Sequence, residues 1–154
     1  MVAASFLVAV RQTCTWWFYG QQPAKGVKEC RVPYSILIVD DNPIIRRTLR
    51  SCILQNLDWD VCGEAIDGRE AIERVQQLEP DLVILDLSMP GMSGLDAARE
   101  LKRIRPTLHL LMFTSFKTPS LEKAAVAAGC DAVIAKSDLQ ELFSSVRGLF
   151  APQN

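Results

Sequence analysis

The chain has 154 residues, which is enough for one compact α/β domain with a hydrophobic core and too few for two domains of ordinary size. Lysine and arginine number 17 and aspartate and glutamate 18, so the formal net charge of -1 predicts no broad attraction to nucleic acid or to an anionic membrane. We therefore expect one domain without a direct nucleic-acid partner, in which any function that depends on charge is local.

The cysteine pattern and the apolar start bear on the cellular compartment. The five cysteines are scattered and form no CxxC pair, which argues against a disulfide framework and against a zinc site. The apolar start, Met1 to Val10, is too short to span a bilayer. Its nearest positive charge, Arg11, follows the apolar run instead of preceding it, unlike a secretory signal. We predict a cytoplasmic protein with no membrane partner.

Residues 1–33 differ from the rest of the chain. They contain an aromatic cluster, Trp16 to Tyr19, with interspersed glycine and proline, and they show no sustained helical or strand period. We interpret this segment as an appendage, either poorly ordered or translated ahead of the natural start, and expect a chain that begins near Arg31 to fold alone. The domain is predicted to occupy residues 34–150, followed by a tail at 151–154.

From Ser35 onward, short apolar runs rich in β-branched residues alternate with longer segments of helical period, which is typical of βα units around a parallel sheet. We count five units and predict an α/β fold, with a five-stranded parallel sheet and helices on both faces. The third and fourth runs are almost wholly apolar, which indicates central strands. The strand candidates are Ile36–Val39, Val61–Ala65, Leu82–Leu85, Leu108–Phe113 and Ala132–Ala135.

Proline, glycine and capping residues bound the helix candidates. Pro43 suits the first turn of a helix, and the apolar residues after it recur at spacings of three and four, which favours a face packed on the sheet. These apolar residues are Ile45, Leu49, Cys52 and Ile53. The other candidates are Gly68–Leu78, a third helix ending at Arg105-Pro106, Ser120–Ala128 closed by Gly129, and Leu139–Phe150 after Ser137-Asp138.

Polar residues directly follow four of the five predicted strands. In an open parallel α/β sheet, ligands bind outside the carboxyl ends of the strands, so we expect these residues to meet at one edge. Taken singly, each has an ordinary explanation as a helix cap, a loop hydrogen bond or an exposed lysine. Their occurrence together favours a site. They are Asp40-Asp41, Asp86, Thr114-Ser115 and Lys136.

Three carboxylates at one sheet edge repel one another unless a cation lies among them. Oxygen ligands without a nearby histidine or cysteine suit a hard ion, and we predict Mg²⁺. An aspartate can then act as a nucleophile toward phosphorus, because the metal and Lys136 neutralise the charges of donor and acceptor. The Thr114 hydroxyl can donate to a phosphoryl oxygen, so its position would depend on phosphorylation.

These segments resemble the receiver domain of two-component response regulators, over about Tyr34 to Phe150. A single Asp-Asp pair or a Met-Pro-Gly is weak evidence, but four signals in order, each closing its own strand, are specific. The resemblance implies the flavodoxin-like (βα)5 receiver fold with strand order 2-1-3-4-5. The segments are Ile38-Val39-Asp40-Asp41, Leu85-Asp86-Leu87-Ser88-Met89-Pro90-Gly91-Met92-Ser93-Gly94, Phe113-Thr114-Ser115 and Ala135-Lys136.

The resemblance also implies a role for each site residue. Asp86 would be the phosphorylated residue, Thr114 the switch hydroxyl, and Lys136 the lysine that contacts the phosphoryl group. Mg²⁺ would be the cofactor. Its implied ligands are Asp41 directly, Asp40 through water, Asp86, and the main-chain carbonyl of Ser88.

Three positions depart from the family pattern. Val133 lies three residues before Lys136, where the family usually has a tyrosine or phenylalanine that moves inward on activation, so we expect no coupling through an aromatic rotamer. Ser115 stands where alanine is usual, and Ser137 where proline is common. Neither serine removes the phosphorylation chemistry.

The resemblance implies a signalling switch, not an enzyme with a separate substrate. A sensor histidine kinase or a histidine phosphotransfer protein would phosphorylate Asp86, and the surface of helix 4, strand 5 and helix 5 would contact a downstream protein or a second copy.

A metal-dependent phosphohydrolase is an alternative function, but such an enzyme requires a second acidic residue at the position that Ser88 occupies. A non-phosphorylated interaction module would lack acidic residues, and none is missing. A DNA-binding regulator would need an output domain after Phe150, so the chain acts by contacts alone or is a fragment.

Overall fold

The computed structural model describes residues 33–151. Residues 1–32, which we interpreted as an appendage together with Pro33, lie outside the described residues, and so do residues 152–154 of the tail. The described part contains the five strands and five helices that the sequence predicts. They are β1 (Tyr34–Val39), α1 (Pro43–Ile53), β2 (Trp59–Ala65), α2 (Gly68–Leu78), β3 (Leu82–Leu85), α3 (Gly94–Ile104), β4 (His109–Thr114), α4 (Pro119–Ala127), β5 (Ala132–Ala135) and α5 (Leu139–Phe150).

The five strands form one parallel sheet in the order β2-β1-β3-β4-β5, which confirms the predicted fold and strand order. β3 is central and fully buried, and β4 lies beside it, as their apolar runs predicted. β1 also lies inside the sheet and is as buried as β4. The apolar runs singled out only the third and fourth strands, but the predicted strand order 2-1-3-4-5 already placed β1 between β2 and β3.

Successive strand residues point to opposite faces, so the sheet has a hydrophobic core on each face. One core lies under α2, α3 and α4 and includes Ala97 and Leu121. The other lies under α1 and α5 and includes Leu49, Ile53 and Val146. Leu49 and Ile53 come from the apolar face predicted for the first helix. Packing on both faces holds the strand ends, and therefore the loops after them, in fixed relative positions.

The edge strand β2 is longer than predicted. It begins at Trp59, two residues before the predicted start at Val61. Trp59 pairs with Tyr34 of β1, and its ring stacks on Phe143 of α5 with a centroid separation of 5.9 Å. The extension pairs with a residue of β1, and the ring contact is with a distant helix, neither of which local sequence reveals.

β1 likewise begins two residues before its predicted start, at Tyr34, and β4 and α4 are each shifted by one residue from the prediction. β4 runs to Thr114 because this residue pairs with Ala135 of β5. α4 begins at Pro119 because the hydroxyl of Thr118 caps it, accepting a hydrogen bond from the amide of Leu121 at 3.2 Å. Gly129 follows the end of α4 with φ of 94°, the left-handed conformation expected of a glycine at this position.

Of the described cysteines, Cys52 and Cys130 are free thiols, and the Cys62 thiol donates to the carbonyl of Ile36 at 3.5 Å. Burial raises the pKa of the Cys130 thiol to about 11, so it remains protonated as a small apolar side chain. Between residues 33 and 151, the structure contains no helix that is both long enough and apolar enough to cross a membrane.

Candidate functional site

The predicted site residues lie together at the carboxyl edge of the sheet. β1, β3, β4 and β5 are consecutive neighbours in the sheet, so the residues that end or follow them are adjacent. Asp40 and Asp41 follow β1, Asp86 follows β3, Thr114 ends β4, and Lys136 follows β5. The fold therefore assembles the site from four separate parts of the chain, as expected for an open parallel sheet.

The three carboxylates form one cluster, in which an oxygen of each lies within 4.8 Å of the others. Asp40 and Asp86 are almost fully buried, with relative exposures of 2% and 3%, whereas Asp41 is exposed. The main-chain amide of Asp40 donates to the carbonyl of Ala65 at 3.1 Å, and that of Asp86 donates to the carbonyl of Val39 at 2.8 Å. The cluster thus has two anchored, buried members and one member that faces solvent.

Lys136 neutralises part of this negative charge. Its Nζ lies 2.6 Å from Oδ2 of Asp40 and 3.0 Å from Oδ2 of Asp86, and its side chain is only 15% exposed. Burial lowers the pKa of Lys136, but the hydrogen bonds to Asp40 and Asp86 more than offset this, so its pKa lies above the ordinary value. The ammonium is therefore charged at neutral pH and stands beside both buried carboxylates.

Asp86 is nevertheless costly to ionise. Burial raises its pKa, the hydrogen bond and charge of Lys136 oppose the shift, and the charge of Asp40 adds to it, so that the pKa remains above the ordinary value. One ammonium shared by two carboxylates, with Asp41 nearby, leaves the cluster negative. A hard divalent cation with oxygen ligands would remove this cost, so the residues present fit such an ion.

Thr114 and Ser88 complete the set of predicted residues. Thr114 is fully buried, and its Oγ1 accepts a hydrogen bond from the amide of Phe116 at 3.2 Å. Its carbonyl accepts from the amide of Lys136 at 2.8 Å, which joins the ends of β4 and β5. Ser88 is exposed in the loop after β3, and the role of its carbonyl as a metal ligand stays a prediction. Val133 is buried in β5, so this position carries no aromatic ring that could move inward.

Gly94 supports the site, although the sequence prediction gave it no role. A Cβ atom at this position would overlap the main-chain carbonyl oxygen of Asp86. The Gly94 amide also donates to the carbonyl of Leu87 at 2.9 Å, and Ser93 caps α3 directly before it. Gly94 ends the quoted segment from Leu85 to Gly94, but its purpose depends on a close approach between α3 and the residue after β3.

The matching family model identifies the kind of domain. The model described as "Response regulator receiver domain" matches residues 36–147, which include all of the residues predicted for the site. The chain belongs to this receiver-domain family. Receiver domains are the signalling phosphoacceptors of two-component systems, and the curated relatives that match this chain include response regulators.

Two curated relatives show the range of proteins that carry such a domain. The chain is 36% identical to the chemotaxis protein CheY of Thermotoga maritima over 101 residues, which are 66% of this chain and 83% of that protein. It is 36% identical to the nitrate/nitrite response regulator NarP of Escherichia coli over 116 residues, 75% of this chain and 54% of that protein. The chain spans about half the length of NarP and of the staphylococcal VraR regulators that it also matches.

Solved structures agree with this assignment. A LuxR-family two-component response regulator from Aurantimonas sp. SI85-9A1 superposes with a TM-score of 0.74 at 30% identity, covering 78% of this chain and 86% of that one. The response regulator domain of Thermotoga maritima CheB gives a TM-score of 0.72 at 26% identity, covering 80% of this chain and all of that one. Both superpositions therefore support the receiver fold for this chain.

Proposed function

We propose that residues 34–150 form a cytoplasmic phosphoacceptor switch in which Asp86 receives the phosphoryl group. The observation that carries this proposal is the surroundings of Asp86. It is 3% exposed, it lies in a cluster with Asp40 and Asp41, and Lys136 stands 3.0 Å from its Oδ2. A buried carboxylate beside a cation and two further acids is a good phosphoacceptor once its negative charge is balanced.

In the proposed reaction, a carboxylate oxygen of Asp86 attacks the phosphorus of a phosphohistidine on the donor protein. A P–O bond forms to Asp86, the P–N bond to histidine breaks, and the departing imidazole takes the electron pair and a proton. The Lys136 ammonium neutralises negative charge on the phosphoryl oxygens as they approach Oδ2 of Asp86. Hydrolysis of the acyl phosphate would later reset the switch.

We assign the metal to Mg²⁺, held by Asp40, Asp41, Asp86 and the main-chain carbonyl of Ser88. The absence of nitrogen and sulfur ligands from the cluster supports a hard ion, and the exposure of Asp41 supports an ion that keeps some of its water. When bound, Mg²⁺ supplies positive charge between the carboxylates and the phosphoryl oxygens.

Thr114 is the proposed start of the response. In this structure its Oγ1 accepts from the Phe116 amide, and a hydroxyl that donates to a phosphoryl oxygen instead would release the loop after β4. The altered surface would be that of α4, β5 and α5, which would contact a downstream protein or a second copy of the chain. The donor would be a sensor histidine kinase or a histidine phosphotransfer protein, since the relatives are response regulators.

The test is to incubate the full chain with Mg²⁺ and acetyl phosphate or phosphoramidate, and to measure intact mass. We expect one added phosphoryl group in the wild type and none in Asp86→Asn, because the nucleophile is lost. Asp58→Asn is the matched control, since Asp58 is exposed before β2, at the opposite edge of the sheet. Labelling that persists in Asp86→Asn would refute the site.

A further inference from the structure

An arginine of α1 contacts the turn that carries the acidic pair. Arg46 lies one turn into α1, and its side chain is only 16% exposed. Its Nη1 donates to the main-chain carbonyl of Asp40 at 2.8 Å and to that of Asp41 at 3.3 Å. These bonds leave the carboxylate oxygens of both aspartates free for other partners. Arg46 thus differs from Lys136, which binds Oδ2 of Asp40 directly.

Glu64 of β2 orients this arginine. Its Oε2 accepts from Nε of Arg46 at 3.0 Å, and its Oε1 accepts from Nε of Arg50 at 2.7 Å. The Arg50 hydrogen bond, followed by that of Arg46, lowers the pKa of Glu64 despite partial burial, so the carboxylate is charged at neutral pH. One guanidinium therefore bridges the charged Glu64 on the sheet and two carbonyls of the turn, a geometry that the planar fork of arginine suits and a lysine ammonium does not.

The turn needs such support because its side chains repel one another. Asp40 and Asp41 are consecutive, and both carboxylates lie near Asp86. Small rotations of the main chain would let the exposed Asp41 swing away from the other two. A donor that holds the carbonyls of both residues opposes these rotations, and the amide of Asn42 adds a bond to Oδ1 of Asp40 at 2.9 Å.

We propose that Arg46, oriented by Glu64, is a positioning residue that holds Asp40 and Asp41 in the geometry that binds the metal. The proposal rests on the Mg²⁺ site of the proposed function. Partners behind direct ligands commonly change metal affinity by about 10-fold to 100-fold when they are removed. Arg46 acts through the main chain, so its loss moves the ligands without removing any of them.

The sign of the effect separates positioning from simple electrostatics. Arg46 is a positive charge near a cation site, so by Coulomb's law alone its removal strengthens Mg²⁺ binding. Positioning predicts the opposite. Arg50→Met is the matched control, because Arg50 also carries one positive charge and pairs with Glu64, while its described bond goes to Glu64 and not to the acidic turn.

The experiment is a calorimetric Mg²⁺ titration of the full chain as wild type, Arg46→Met and Arg50→Met. We expect the dissociation constant to rise by about tenfold in Arg46→Met and to stay within about twofold of the wild type in Arg50→Met. Binding by Arg46→Met as tight as by Arg50→Met would overturn the proposal. A wild type that binds no Mg²⁺ would instead overturn the proposed metal site, so the two failures are distinguishable.

A second readout separates positioning from a general loss of structure. In phosphorylation by acetyl phosphate, the Mg²⁺ concentration for half-maximal rate should rise about tenfold in Arg46→Met, while the rate at saturating Mg²⁺ stays near that of the wild type. If Arg46→Met fails to fold, Arg46→Lys replaces it, with an expected intermediate weakening because the compact ammonium lacks the planar fork that reaches Glu64 and both carbonyls. Wild-type affinity in a folded Arg46→Lys would refute the need for the guanidinium.

Discussion

The two loops on either side of Asp86 are held in different ways. The loop after β1 is bound by Arg46 at both carbonyls of the acidic pair and by the Asn42 amide at Asp40 Oδ1. The loop after β4, from Ser115 to Thr118, is exposed throughout. Its described ties include the bond from the Phe116 amide to Thr114, the cap that Thr118 forms on α4, and the ion pairs of Lys117.

The difference matches two separate tasks. Binding a metal and a phosphoryl group requires ligands that are already in place, so the loop after β1 is supported by partly buried bonds. A response to phosphorylation requires a segment that rearranges at low cost, and exposed loops with few apolar contacts do so. Phe116 is 71% exposed and Lys117 is tied by surface ion pairs, so little free energy opposes a change in this loop. We therefore expect the loop after β1 to be the rigid half of this edge and the loop after β4 to be its movable half.

The largest effect on stability is expected at Gly94, where α3 lies against the main chain of Asp86. Gly94→Ala should destabilise the protein by about 3 kcal/mol, because the new Cβ overlaps the carbonyl of Asp86. Gly148→Ala is the control, since a Cβ on this exposed position of α5 meets no atom within 4 Å. It should be neutral or stabilise by up to about 1 kcal/mol. Urea unfolding measures both, and equal midpoints would show that α3 is not closely seated on Asp86.

The second-largest effect is expected at Asp41, the proposed direct metal ligand in the loop after β1. Asp41→Ala should weaken Mg²⁺ binding by at least about tenfold, since a carboxylate ligand is removed and not merely displaced. Asp41 is exposed, so the unfolding midpoint without metal should change little. Calorimetric titration measures the affinity, with Asp58→Ala as the control for the loss of one negative charge. An unchanged titration would exclude Asp41 from the metal site.

The movable half is tested by Thr114→Ala and Val133→Ala. With beryllofluoride as a phosphoryl mimic, wild type should show amide chemical-shift changes along α4, β5 and α5, and Thr114→Ala should lose most of them while still binding the mimic. Val133 is 5% exposed, so Val133→Ala should lose about 1–2 kcal/mol of stability and keep the response. If Val133→Ala retained full stability but lost the response, coupling would run through position 133.

The smallest effect on stability is expected at the surface ion pairs of Lys117, in the loop after β4. Lys117 lies 2.9 Å from Glu141 of α5 and 3.6 Å from Glu122 of α4. The hydrogen bond to Glu141 raises the pKa of Lys117. These are surface pairs, so Lys117→Met should change the free energy of unfolding by no more than about 0.5 kcal/mol, with less effect at high salt. A loss above about 1 kcal/mol would mean that this loop is held more firmly than its exposure suggests.

The sequence was sufficient for the fold and for the membership of the site. Alternating apolar runs and helical periods predicted five βα units, and parallel strands bring their carboxyl ends to one edge. The residues directly after those runs, Asp40, Asp86 and Lys136 among them, therefore had to meet, and the structure brings them within hydrogen-bonding distance. The roles assigned to these residues remain predictions until phosphorylation and metal binding are measured.

Only the tertiary structure decided which long side chains and close contacts support that site. Periodicity indicates which face of α1 is apolar, but an arginine side chain has many rotamers, so it does not reveal that Arg46 reaches two carbonyls and Glu64. It likewise does not reveal that Gly94 lies against the Asp86 carbonyl, or that Trp59 extends β2 against α5. Local sequence determines the elements and their apolar faces, whereas contacts between distant segments depend on the relative placement of those elements.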